Sequence, residues 1–485
     1  MPPRKKPFSG KAKKQQLKEK REKQRARDAW DDDDTKPTEA ADHDSTAAVD
    51  ASAPLAAVLP PAPAEGRRDL RTIFHIESKA AVDARKKDAT RALCYARDRG
   101  DSQSVYAFGV QSGARTQPPL LLKPSWRRDM TPEELREVDE RAYVEWIQCI
   151  NEAQQQLHEV TAPVQINMFE RNIEVWRQLW RVLERASVLV HLADARCPLL
   201  HISDRLIAHI MEDFPSKRVV IVLTKADLVA TSRVQAWVKY LEDRYAHAKI
   251  AVLAYSREDV EDSNAKLMRT IGDASAQIEP DERELAHRED EKDALVVGFV
   301  GEPNVGKSSL LNSLFDRKLV SVSATPGHTK HLQTHFFDRV ELLGPEERTR
   351  YKRVLMCDCP GVVFPRFNVP ISLQILFGSF PIAQVREPFS AIRFIAENCL
   401  PPLHEIYKLK QVDIDDEDWS PYLLCESYAM QRGFHVKGGK FDVHRAANLM
   451  LRDTLNGKKA VLSFPPPLDT ATSTLDTNST ACEPH

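Results

Sequence analysis

The sequence predicts an α/β fold: a doubly wound, mostly parallel sheet, preceded by a helical N-terminal extension and followed by a helical C-terminal domain. Three observations predict it. Six short apolar runs lie between residues 187 and 357 and read as buried parallel strands. Helical stretches near 202–214, 232–245 and 307–315 separate several of them. Outside that region the strand signal stops, and only helical patterns remain.

Taken in order, residues 1–28 form a basic arm. Twelve Lys/Arg and three acidic residues give it a charge of +9, so with −2 overall the rest of the chain carries −11. A one-signed arm on an acidic body points to an anionic partner such as RNA, or to nuclear import. Residues 29–66 run from Asp31–Asp34 through alanine and proline, cannot bury enough apolar surface to order, and read as a disordered linker.

Residues 67–165 are read as mainly helical. Thr131-Pro132-Glu133-Glu134 combines a Thr cap, a Pro at the first position and a Glu three residues on, so a helix should run to about Gln156. A second helix is expected from Met168 to Ala186. It carries Trp176, Leu179, Trp180 and Leu183 on one face, as core packing rather than a stacking platform.

The strands are then Ser187–Ala193, Arg218–Leu223, Lys249–Ala254, Leu295–Val300, Gln333–Phe337 and Arg353–Cys357. They define a sheet domain over 166–368. Its interruption at 257–293 is acidic and without periodicity, and reads as a surface linker. Residues 369–463 show helices around 371–378, 388–399, 420–432 and 441–456, and 464–485 read as a disordered tail.

Composition narrows the function classes. The chain has 31 prolines against 17 glycines, yet Gly298, Gly301, Gly306, Gly327, Gly344 and Gly361 crowd one stretch, where backbone must approach a ligand or turn sharply. The eight cysteines show no paired CxxC units, so neither a zinc module nor a disulfide-linked partner is expected. No apolar run approaches about 20 residues, so no membrane partner is expected.

Three motifs carry the chemistry. Gly301-Glu302-Pro303-Asn304-Val305-Gly306-Lys307-Ser308 follows a predicted strand and opens a helix, the context a phosphate loop requires. Gly301, Asn304, Val305, Gly306, Lys307, Ser308 and Ser309 should wrap the phosphates. Lys307 should reach the β- and γ-phosphates, and Ser308 should ligate Mg²⁺. Thr224-Lys225-Ala226-Asp227 ends another strand. The Asp227 carboxylate can accept from guanine's ring N–H and amino group, an edge adenine lacks, and Lys225 can lay its stem along the base. That argues against an ATPase or nucleotide kinase. Asp358-Cys359-Pro360-Gly361 ends a third strand; Asp358 should hold Mg²⁺ through water and the Gly361 N–H should meet the γ-phosphate. Thr329, with Thr325 as alternative, is the expected switch threonine on the metal. Lys307, Thr329 and Gly361 are therefore the expected catalytic groups. Tyr255-Ser256-Arg257 occupies the place of a second base-contacting loop, with Ser256 the expected contact. Cys357 and Cys359 read as strand and filler residues rather than a metal pair.

The base-reading motif precedes the phosphate loop, which is the reverse of the usual order. With the strings Arg4-Lys5-Lys6-Pro7-Phe8-Ser9, Trp176–Glu184, Thr325-Pro326-Gly327-His328-Thr329, Cys357–Gly361, Pro381-Ile382-Ala383-Gln384 and Arg445-Ala446-Ala447-Asn448, the chain resembles the circularly permuted GTPases of ribosome assembly. The resemblance implies a circularly permuted P-loop GTPase domain, GTP and GDP as ligands, Mg²⁺ as cofactor and slow hydrolysis. It also implies work on the large ribosomal subunit precursor or its rRNA, in the nucleus or nucleolus and the cytoplasm. A GTP-binding scaffold with negligible turnover is the alternative. Asn304 stands where such GTPases bind a potassium ion. Asp194-Ala195-Arg196 matches a family signature and is given no catalytic role. Two departures are expected to matter. Thr224 replaces the usual Asn and should lose a tether to the phosphate loop. Val362 stands where Ras-like GTPases place a water-orienting Gln, as is normal for the family, and predicts weak intrinsic hydrolysis. Contact of the γ-phosphate with Gly361 and Thr329 is expected to reposition residues 362–376, and with them the C-terminal helices.

Overall fold

A computed structural model describes residues 72–75, 77–95, 117–160, 164–248, 250–278, 293–318, 333–411 and 418–467. The basic arm, the linker at 29–66, residues 279–292, Thr325 and Thr329 lie outside the described residues.

The elements follow in the order α1 (Lys79–Asp88), α2 (Pro132–Val160), α3 (Ile173–Arg185), β1 (Val188–Asp194), α4 (Asp204–Asp213), β2 (Arg218–Thr224), α5 (Thr231–Arg244), β3 (Ile250–Ala254), α6 (Val260–Ala276), β4 (Ala294–Val300), α7 (Lys307–Leu314), β5 (Gln333–Phe337), β6 (Arg353–Asp358), α8 (Ile371–Phe377), α9 (Phe389–Asn398), α10 (Pro421–Arg432) and α11 (Val443–Leu455). Short helices at Pro198–His201, Pro345–Arg350 and Leu403–Tyr407 lie between them.

The strands form one sheet in the order β3-β2-β1-β4-β6-β5. All neighbours are parallel except β5 and β6. The chain winds outward from β1 to β3, then restarts beside β1 with β4 and winds the other way. The β1–β4 boundary is therefore the switch point, where the carboxyl ends of strands open a crevice for ligands. Opening the chain between β3 and β4 and joining β6 to β1 would put the phosphate-loop strand first, so the permutation is written in the sheet itself.

Both faces of the sheet are covered, which is why its central strands read as unbroken apolar runs. On β4, Ala294, Val296 and Val300 face a core shared with α3, α5 and the helices after Ile371, whereas Leu295, Val297 and Phe299 face α6 and α7. Gly298 permits the close approach of α3: a Cβ there would lie 2.6 Å from Val182 Cγ1. Trp176 and Trp180 are buried; Trp146 and Phe364 pack edge-on against Trp176, and Phe169 packs edge-on against Trp146. The α2 start has the predicted capping box, with Glu134 N donating to Thr131 Oγ1 (3.2 Å) and Thr131 N to Glu134 Oε2 (2.7 Å).

Five expectations need correction. The stretch at 257–293 is not a linker throughout, because α6 occupies Val260–Ala276 and buries Leu267, Met268 and Ile271 under the sheet. Its acidic first turn and polar outer face mask the helical spacing of those residues. β5 is an antiparallel edge strand with Phe336 46% exposed, and Arg353 covers that ring at 4.2 Å. The helix expected from Met168 begins only at Ile173. Asn172 caps it by accepting from Glu174 N (3.0 Å), while Met168 is extended and exchanges hydrogen bonds with the Gln374 amide (3.0 and 2.7 Å). The start of the expected tail is docked: Phe464 is buried, its N–H donates to Arg196 O (2.9 Å) and its carbonyl accepts from Trp237 Nε1 (2.8 Å). The helices from Ile371 to Leu455 likewise share one apolar core with the sheet rather than enclosing a core of their own.

Candidate functional site

Three chain segments meet at the carboxyl edge of the sheet. After β4, Gly301 has φ +152°, and a Cβ there would lie 2.7 Å from Leu192 O. Asn304 and Gly306 also take positive φ before α7 begins at Lys307. Lys307 is buried, and its Nζ donates to the carbonyls of Gly301 (2.8 Å) and Glu302 (2.7 Å). Burial lowers its pKa against the opposing pull of Asp358. Val305 is buried within the loop, and Ser308 and Ser309 stand in the first turn of α7, half-buried.

The loop is gripped from outside. Asn304 Nδ2 donates to Gly378 O at 2.9 Å, at the left-handed end of α8. The Glu302 carboxylate accepts from Ser379 Oγ and faces His201 Nδ1 at 3.3 Å. Burial would raise the Glu302 pKa, but His201, Arg366 and Ser379 bring it below the usual carboxylate range. Sequence reading missed this trio. Nothing local marks it, since its members come from three distant segments.

At the end of β2, Thr224 Oγ1 donates to Val305 O, with Ala193 O also within 3.1 Å. The expected loss of a tether to the phosphate loop is therefore corrected: a hydroxyl is long enough because the strand end lies directly against the loop. Lys225 takes φ +57° and its Nζ donates to Asp194 Oδ2 at 2.8 Å. Asp227 sits in a 3-10 turn, and its Oδ1 accepts from Arg257 N at 3.2 Å. Ala226 N donates to Tyr255 O. The segment 255–257 thus stands beside the base-reading motif. The Ser256 hydroxyl accepts from Glu258 N at 3.2 Å.

At the end of β6, both carboxylate oxygens of Asp358 are buried with no hydrogen-bond partner among the described residues. Burial pushes its pKa up to about 7, with the Lys307 ammonium opposing. A buried carboxylate without a donor is costly unless a cation completes it, so the residues present fit Mg²⁺, with Asp358 and Ser308 to hold it. Gly361 lies against the phosphate loop, where a Cβ would be 2.7 Å from Pro303 N. Val362 N donates to Gly301 O (3.3 Å), and Val362, Val363 and Phe364 are buried. Among the described residues no cluster of three or more His, Cys, Asp or Glu could hold a metal, and the Cys359 thiol is pushed up by burial.

Asp194 and Arg196 form a buried pair behind the base-reading motif. Arg196 donates to both carboxylate oxygens and also to Thr454 O and Leu455 O.

Residues 296–394 match a protein family described as 50S ribosome-binding GTPase. The chain is 30% identical over 470 residues to guanine nucleotide-binding protein-like 1 of Rattus norvegicus, across 82% of this chain and 72% of that one. It is 30% identical over 413 residues to the large subunit GTPase 1 homolog of Drosophila melanogaster, across 73% of this chain and 65% of that one. Among solved structures, GNP-bound YlqF from T. maritima aligns with 60% of this chain and 98% of its own at 20% identity and a TM-score of 0.37.

Proposed function

Since the chain belongs to the guanine nucleotide-binding protein-like 1 family, whose members are GTPases, we propose that it is a slow GTP-driven switch in assembly of the large ribosomal subunit. It binds GTP and GDP and hydrolyses GTP. The observation that carries the finer reading is the meeting of phosphate loop, base-reading motif and unpartnered Asp358 at one sheet edge, with the helices after Ile371 packed behind it.

The residues have distinct tasks in this reading. Main-chain N–H groups of Gly301 and Asn304–Ser309 cradle the phosphates at the start of α7. Lys307 exchanges its two carbonyl partners for β- and γ-phosphate oxygens, neutralising charge that grows during transfer. Asp227 reads the guanine edge, Thr224 keeps that reader in register with the phosphate loop, and Lys225 lies along the ring. Ser256 lines the base pocket from the neighbouring loop. Ser308 and Asp358, together with Thr329 in this reading, would hold Mg²⁺, which would supply charge neutralisation to the phosphates. The Gly361 N–H meets the γ-phosphate. Val362 is buried and apolar, so it cannot orient a water, which makes the intrinsic rate low. The Asn304 nitrogen is engaged by Gly378 O, so only its Oδ1 remains to meet a potassium ion.

Residues 166–368 act as the GTPase domain and 369–463 as its helical output. The basic arm at 1–28 contacts rRNA in the subunit precursor, in a protein that shuttles between nucleus and cytoplasm. Sedimentation of tagged wild type against Lys307→Ala tests this. Wild type should travel with precursor large subunits and the variant should be redistributed. Absence from all ribosomal fractions would refute the assembly role. Turnover measured in potassium and in sodium, with and without large subunits, separates a switch from a scaffold. No stimulation in any arm favours the scaffold.

A further inference from the structure

Asp194 and Arg196 are fully buried, and the role of such a pair must be sought in what else it touches. The Asp194 carboxylate accepts from Arg196 N (3.0 Å), Nε (3.0 Å) and Nη2 (2.7 Å), and from Lys225 Nζ (2.8 Å). Arg196 alone would balance its charge. Lys225 adds a second cation to a pair already neutral, which a purely structural ion pair does not need. The surplus is absorbed at the far side. Arg196 Nη1 and Nη2 donate to Thr454 O (2.8 Å) and Leu455 O (3.2 Å), the carbonyls at the end of α11. Thr454 O also accepts from Gly457 N (3.1 Å) in the turn beyond the helix; the two carbonyls lie at the negative end of the helix dipole, so a cation belongs there.

We infer that Asp194 is a positioning residue for base recognition: it fixes Lys225 against the guanine ring and, through Arg196, ties that placement to the end of α11. A second contact runs in parallel. Gly457, at φ +68°, lies so close to Leu228 that a Cβ would be 2.5 Å from Leu228 Cδ1. The 3-10 turn holding Asp227 therefore rests on the turn that follows α11. Phe464 N donates to Arg196 O, so the segment after α11 is tied to the same residue. Occupancy of the base pocket should then be felt at residues 452–464, none of which this reading places on the nucleotide. The inference rests on Lys225 and Asp227 being the base readers. By linkage, whatever fixes 452–464 should tighten guanine binding in return.

The test uses the full chain. Hydrogen exchange of peptides covering 452–464 is followed with and without saturating GDP and Mg²⁺, in wild type and in Lys225→Met. A fluorescent GDP titration reports occupancy independently. Lys225→Met leaves the Asp194–Arg196 pair intact and balanced. In wild type, GDP should slow exchange there about fivefold or more; in Lys225→Met at equal occupancy it should not. Asp194→Asn should raise KM for GTP about tenfold with kcat unchanged, as expected for a contact made equally in ground and transition states. Equal protection in Lys225→Met, or none in a wild type that binds GDP, overturns the inference. A wild type that fails the titration overturns the base-reader assignment and this inference with it. If Asp194→Asn does not fold, the exchange experiment decides alone.

Discussion

The Thr224 hydroxyl donates to the main-chain carbonyl of Val305, joining the base-reading motif to the phosphate loop across the edge of the sheet. One side-chain atom thus holds the two segments in register, the proposed halves of the nucleotide site, although the permutation separates them in sequence.

Thr224→Val keeps the shape and removes that donor. A buried hydrogen bond of this kind contributes about 1 kcal/mol, so affinity for GDP and GTP should fall several-fold alike. The preference for guanine over adenine should not change, because Asp227 is untouched. Competition titrations with ATP check both points; a lost preference would place base selection elsewhere.

Asp227→Ala removes the proposed acceptor for the guanine edge. Two charge-assisted hydrogen bonds at about 1.5–3 kcal/mol each predict a loss of roughly 100-fold or more in guanine nucleotide affinity. Thermal stability should hold, since Asp227 is half-exposed. Calorimetric titration with GDP reads the first quantity and a melting curve the second.

Gly361→Ala should weaken both nucleotides and lower the melting temperature. Its Cβ would meet the Pro303 main chain, which cannot yield without moving the phosphate loop. GDP titration and calorimetry are the measurements. Normal affinity would mean that the loop relaxes freely.

Glu170 gives a pH signature. Burial pushes its pKa up to about 8, against hydrogen bonds from Asn172 N and Ile73 N that favour the carboxylate. In the unfolded chain its pKa is near the ordinary value, so between about 4.5 and about 8 the folded state holds the extra proton. Its contribution to stability is full below that window and is lost as pH rises through it, by about 1.4 kcal/mol per pH unit. Glu170→Gln should flatten this slope. Denaturant titrations from pH 5 to 8.5 check it, and an unchanged slope would rule Glu170 out as its source.

What was legible in the sequence depended on how local each signal is. The phosphate loop must place Gly301, Gly306 and Lys307 at fixed spacing, so adjacent residues announce it. Central strands buried on both faces announce themselves by composition. α6 did not, because half of it faces water and its acidic first turn dominates any average over the segment. Met168 reads as helix because an apolar residue beside a helix looks like its first turn; only Gln374, far away in the chain, shows otherwise. Ser379 and Gly378 on the phosphate loop, and Arg196 on the end of α11, are long-range contacts of unremarkable residues. Periodicity has no access to such pairs.

The strand order also has a consequence for synthesis. A chain made from its N-terminus delivers β1, β2 and β3 before β4 exists, so the part that would select guanine can assemble while the part that would hold phosphate is still unmade. Until β4 arrives, β1 is an open parallel edge with bare N–H and C=O groups, a template for pairing with the wrong strand. β4 closes that edge but presents its own, and β6 then covers it while bringing Asp358 and Gly361 to the phosphate crevice. A nascent chain therefore gains its ligand as it loses these open edges, and GTP supplied during translation should suppress aggregation of this protein more than GTP added afterwards.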